Sequence, residues 1–98
     1  MKEIIKNLSK LLENRLRLGI MSALIVNDSL DFNSLKDLLD ATDGNLATHL
    51  RTLEKHNLIK VNKKFVGRKP NTNYAITNEG RKVFKQHLNA IEQLMKNN

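Results

Sequence analysis

The strongest constraint on this chain is a leucine stripe whose opposite side is dressed for contact. In TDGNLATHLRTLEKHNLI, residues 42–59, Leu46, Leu50 and Leu53 recur at helical spacing. That spacing gives one helix face a core to bury. The other face carries Gly44, Asn45, Thr48, Arg51, Thr52 and Lys55. A face that meets only water is ordinarily built from Glu, Lys, Gln and Ala, the better helix formers. Here helix propensity is given up for slim hydrogen-bonding groups and positive charge.

The surrounding pattern places that helix. Residues 2–13 put Ile4, Ile5, Leu8, Leu11 and Leu12 on one stripe and predict an amphipathic N-terminal helix. Residues 2–26 could form one helix or two, and Asn14, an N-cap type, favours a break there before RLRLGIMSALIV. Leu30 and Phe32 flank Asp31 in a very short strand, and Asn33 or Ser34 can cap a short helix carrying Leu35, Leu38 and Leu39. Only Asp40 and Ala41 then precede Thr42, a capping residue that opens a helix over about 43–56. Beyond it, Ile59, Val61 and Phe65 alternate with lysines, VGRKPN reads as a turn, and Tyr74 and Ile76 alternate in a returning strand. Thr77 caps a last helix over 78–97.

Helix, helix, tight turn, helix and hairpin make a winged helix-turn-helix: mostly α with a small β hairpin, in a single domain over 1–98. Residues 15–77 form its helix-turn-helix and wing, and 1–13 and 78–97 are flanking dimerisation helices. Charge agrees with that reading. Of a formal net charge of +7, residues 51–69 hold seven Lys or Arg against one Glu, whereas residues 27–43 hold five Asp against one Lys. So one-sided a block in so small a domain points to a polyanion rather than to a merely solvated face. The chain has no cysteine, which removes disulfides and thiolate metal sites and fits a reducing compartment. The N-terminal KEIIKNLSKLLENR mixes charge into its apolar residues, unlike a signal peptide. No run approaches the roughly 20 apolar residues that span a bilayer, so a cytoplasmic protein is expected.

The major groove alone admits a helix, and each base pair there shows a distinct hydrogen-bonding pattern. Gly44 lets the backbone approach, Asn45 could pair with adenine N6 and N7, and Arg51 could reach guanine or a phosphate. Thr48 suits a thymine methyl or a phosphate oxygen, and Thr52 and Lys55 suit the backbone. His49 completes the candidate recognition-helix set. On the wing, Lys63, Lys64, Arg68 and Lys69 flank Gly67 and Pro70 and can reach phosphates or the minor groove. Structural alternatives stand beside these. Asn45 could serve the local cap, Gly44 could be tolerated near a helix end, and the wing cations could simply guard a sheet edge.

The pieces TDGNLATHLRTLEKHNLI, FVGRKPNTNYAIT and TNEGR, in that order, resemble the small winged-helix transcriptional regulators of the MarR/ArsR-like group. The resemblance covers most of residues 15–85. It implies a homodimeric, sequence-specific DNA-binding repressor or activator, with a recognition helix at about 43–56 and a wing around 62–73. The chain departs from metal-sensing relatives in lacking cysteines, and His49, His56 and His87 form no convincing ligand cluster. No metal or cofactor is therefore expected. The larger antibiotic-responsive relatives bind a ligand between their dimerisation and DNA-binding regions; here the chain offers little material for such a pocket, and an effector stays open.

Phe84, Leu88, Ile91 and Met95 follow the four-three-four spacing of a helix–helix seam. With Ile4, Ile5, Leu8 and Leu12 they form the candidate dimerisation set, although a monomer could fold one stripe across the other. Twofold pairing would duplicate the recognition helix and match a pseudo-palindromic operator. The expected function is a homodimeric repressor that reads double-stranded DNA, and the alternative is a winged-helix protein–protein interaction module. No nucleophile elbow, phosphate-cradling glycine loop or metal motif points to an enzyme.

Overall fold

Local capping chemistry fixes most element boundaries. In the computed structural model, which describes residues 1–96, helix α1 spans Lys2–Ile5 and a 3-10 turn spans Lys10–Leu12. These are followed by α2 (Arg15–Ile25), β1 (Leu30–Asp31), α3 (Phe32–Leu39), α4 (Asp43–Lys55), β2 (Ile59–Val66), β3 (Lys69–Ile76) and α5 (Asn78–Lys96). Asn14 caps α2, its Oδ1 accepting from the Leu16 and Arg17 amides at 3.0 and 2.9 Å. Thr42 caps α4 by accepting from the Asn45 amide at 3.2 Å. Thr77 accepts from the Gly80 amide at 2.9 Å to cap α5, and its hydroxyl also donates to the Asn57 carbonyl at 2.7 Å. Each cap satisfies amides that the first helical turn leaves unpaired.

Three expectations give way. The cap of α3 is Asp31, not Asn33 or Ser34: its carboxylate accepts from the Ser34 amide at 2.8 Å. The strand ends where the helix begins, so the last strand residue does the capping. The N-terminal helix expected over 1–13 is also broken. Only Lys2–Ile5 is α-helical, and Ser9 is extended at φ −90° and ψ 124°. The Ser9 amide donates to His87 Nδ1 at 2.9 Å, a bond across 78 residues that no local pattern encodes. Finally, the hairpin turn is only Gly67 and Arg68, because Pro70 and Asn71 already pair with Phe65 and Lys64 in the ladder. Asn97, the last residue expected in the C-terminal helix, lies outside the described residues.

The sheet has three antiparallel strands in the order β1-β3-β2. β1 covers β3 only at Asn73 and Tyr74, so Pro70 sits where β3 has β2 as its one neighbour, an edge position that tolerates a residue without an N–H. Gly67 takes φ 66° at the first central position of the turn, the conformation that glycine supplies at least cost. A single cluster packs the helices on the inner half of the sheet. Ile20, Met21 and Leu24 from α2 meet Leu35 from α3, Leu46, Leu50 and Leu53 from α4, Ile59 and Tyr74 from the sheet, and Phe84 from α5. At Gly80 an added Cβ would fall on the Leu58 carbonyl oxygen, so glycine here permits α5 to approach the chain leaving α4. Among the described residues no helix is long and apolar enough to cross a membrane.

Candidate nucleic-acid interface

The two helices of the helix-turn-helix are joined through one left-handed residue. Asp40, at φ 48°, lets the Ala41 amide return to the Lys36 carbonyl at 3.1 Å, closing α3 and redirecting the chain into Thr42. With Leu46, Leu50 and Leu53 buried, α4 is held along its inner side. Gly44, Asn45, Thr48, Arg51 and Lys55 are exposed on the remaining surface. The space around Gly44 is open for 4 Å, so no protein packing requires glycine there.

Asp43 is the one acid in the first turn of α4, where it suits the helix dipole but would repel phosphate. Lys36 from the preceding helix binds its carboxylate at 2.9 Å. That hydrogen bond, reinforced by the opposite charge, raises the Lys36 ammonium above the ordinary lysine range. The Asp43 charge at the start of α4 is thereby offset by Lys36 of the preceding helix.

Two members of the sequence-derived helix set are partly engaged elsewhere. His49 is half-buried, and its Nδ1 lies 3.0 Å from Arg17 Nη1, while Arg17 Nε donates to the Leu11 carbonyl at 2.7 Å. Thr52 is half-buried and donates to the Thr48 carbonyl at 3.2 Å. Sequence periodicity gives no sign of Arg17, because its bond to α4 joins residues 32 apart. It ties the segment before α2 to α4.

On the wing, Lys63, Lys64, Arg68 and Lys69 are all exposed. A groove of about 310 Å³ runs between α4 and the hairpin, bordered by Arg51 and Glu54 on one bank and Lys63 and Thr72 on the other. Val61 and Tyr74 also line it. Tyr74 sits against the core with its phenol raised above the ordinary value, by burial first and by the Glu54 charge second. Glu54 is absent from the sequence-derived set, although its position three residues after Arg51 already places it near the same helix face. The helix surface and the wing therefore share one cleft, into which two cations and one carboxylate project.

The candidate dimerisation set divides. Leu12 and Phe84 are only 2% and 5% exposed and belong to the chain's own core. Ile4 and Leu8 are half-buried. Ile5, Leu88, Ile91 and Met95 stay exposed, Met95 by 73%. Among the described residues no group of His, Asp and Glu is placed to hold a metal ion. His87 is buried, its Nδ1 committed to Ser9.

The chain is 36% identical over 88 residues to an uncharacterized protein of Methanocaldococcus jannaschii, covering 90% of this chain and 96% of that one. It superposes on the transcriptional regulator homologue of Pyrococcus horikoshii OT3 with a TM-score of 0.85 and 35% identity, covering 98% of this chain and 93% of the other. A MarR-family transcriptional regulator from Silicibacter pomeroyi shares the fold at a TM-score of 0.71 and 17% identity, with 92% and 60% covered. The winged helix DNA-binding domain family matches residues 16–95. The chain belongs to the winged helix DNA-binding domain family, among its small regulators.

Proposed function

We propose that the protein is a sequence-specific, homodimeric repressor that reads a pseudo-palindromic operator. Helix α4 enters the major groove, and the wing meets the adjacent backbone or minor groove. The observation that carries this reading is the cleft shared by α4 and the hairpin, with Arg51 and Lys63 on opposite banks. A helix in the major groove beside a wing must straddle one sugar–phosphate ridge, and a cleft with a cation on each side suits that ridge. Gly44, Asn45 and Thr48 supply the slim, hydrogen-bonding leading end, where base edges would be read.

The exposed stripe of Ile5, Leu88, Ile91 and Met95 is the surface offered to a second copy. Such pairing would repeat the recognition helix and set two half-sites about 10 bp apart, or a multiple of that. Selection of bound duplexes from a random pool at physiological salt tests the reading. A palindromic consensus is expected, and recovery of no preferred sequence would overturn sequence-specific recognition. Light scattering at micromolar concentration should give twice the chain mass; the mass of one chain would remove the dimer. Replacing Arg68 and Lys69 together by Ala should weaken binding on most sequences. It should also make the salt dependence shallower, by a slope of about one for each phosphate that is no longer neutralised.

A further inference from the structure

Beyond the groove the hairpin carries a feature that a purely cationic wing does not need. Phe65 is 73% exposed and Val66 61% exposed, immediately before the turn. Strand alternation places Phe65 on the same sheet face as Val61 and Lys63, two residues that line the cleft facing α4. Its cross-strand partner is Pro70, so the cleft-side face ends at the tip in an aromatic ring beside a pyrrolidine. Both side chains are exposed and neither belongs to the core cluster. Exposed hairpins usually carry charge to discourage pairing, and an outward phenylalanine works against that protection.

We propose that Phe65, backed by Pro70, is an apolar wedge that packs against deoxyribose in the minor groove and partly unstacks one base step beside the site read by α4. The proposal rests on the duplex-DNA reading above. Its occupant follows from charge complementarity. Phe65 is surrounded along the chain by Lys63, Lys64, Arg68 and Lys69, all exposed. A second copy or an apolar protein surface covering the ring would have to bury or crowd these cations without compensation. The minor groove instead offers sugar faces and base edges between two lines of phosphates, and minor-groove proteins use apolar wedges there. Because unstacking is easiest at pyrimidine–purine steps, the ring adds a preference for such a step at a position α4 does not touch.

The test uses the full chain and duplexes recovered by random-pool selection, with Phe65→Ala, Phe65→Leu and Arg68→Ala compared in titrations at two salt concentrations. Loss of the ring should weaken binding about tenfold, the scale set by burying one large apolar side chain. Phe65→Ala should leave the salt slope unchanged, whereas Arg68→Ala should reduce it. Phe65→Leu should retain most of the affinity. A 2-aminopurine placed at the wing-side step should brighten on binding of the wild type and not of Phe65→Ala. Amide chemical shifts of β2 and β3 that match wild type away from residue 65 show that the hairpin persists in Phe65→Ala. Affinity within twofold of wild type and an unchanged 2-aminopurine signal would overturn the wedge while leaving the DNA-binding reading intact. A change in solution mass with Phe65→Ala would reassign the ring to contact between copies and also overturn it. Failure of the wild type to bind any duplex removes both readings.

Discussion

Helix α4 and the hairpin border the same cleft, yet they are held in opposite ways. Three leucines of α4 are buried, its start is capped by Thr42, and its end closes through Asn57 in the left-handed region at φ 62°. The hairpin is anchored only at its root. Ile59 is buried and Val61 half-buried, but every residue of β2 from Asn62 outward is exposed. Base readout demands placement to a fraction of a hydrogen-bond length, whereas phosphate attraction tolerates movement of a long cationic side chain. The rigid element therefore suits base-edge readout, and the projecting one suits affinity and the coarser reading of groove deformability.

That contrast breaks most directly in stability. Leu46→Ala should cost about 2–5 kcal/mol of unfolding free energy, because the vacated space lies in the common core. Phe65→Ala should cost no more than about 0.5 kcal/mol, since an exposed side chain leaves no cavity. Denaturant titrations of the two variants should differ accordingly, and similar losses would mean that the wing is part of the core. Discrimination comes next in size. Asn45→Ala should relax preference at one operator position by about 1–3 kcal/mol if its amide pairs with a base. A consensus unchanged by this variant would return Asn45 to a role in the local cap.

A smaller effect separates packing from approach at Gly44. The open space around it means that Gly44→Ala meets no neighbour in the protein. It should raise thermal stability by at most about 1 kcal/mol through helix propensity. The added methyl should nevertheless weaken DNA binding, because it stands between the backbone and the groove. A variant gaining both stability and affinity would show that the slim end of α4 is not approached closely.

The smallest effect lies outside both elements. Burial lowers the His87 pKa from its ordinary value of 6.5, against the opposing pull of Glu13, while Nδ1 accepts from the Ser9 amide. An imidazole held neutral in the folded chain protonates first in the unfolded chain. Its contribution is thus complete above about pH 6.5 and declines as pH falls towards the lower folded value. Unfolding midpoints measured from pH 8 to pH 5 should decrease. His87→Asn, whose Oδ1 takes the place of Nδ1 as acceptor for Ser9, should flatten that part of the profile.

What could be read from sequence was whatever chemistry acts within a turn of itself. Asn14, Thr42 and Thr77 announced their helices because a cap bonds to amides only two or three residues away. The leucines of α4 announced their face through period alone. The break at Ser9 was hidden, since it depends on His87 at the far end of the chain. His49 looked outward by its position, yet it is half-buried and its Nδ1 meets Arg17 of another helix. Pro70 and Asn71 carried turn chemistry, but cross-strand pairing placed them in β3. Leu12 and Phe84 fitted an intermolecular seam by spacing and were drawn into the chain's own core.

Above all, the outer side of α4 and the wing should engage duplex DNA together. Amide chemical-shift mapping during titration with a selected duplex tests this most directly. The largest changes should fall in two blocks, residues 43–55 and residues 62–70, while Leu88, Ile91 and Met95 keep the shifts of the free protein. Changes concentrated on α5, or confined to only one of the two blocks, would contradict the account.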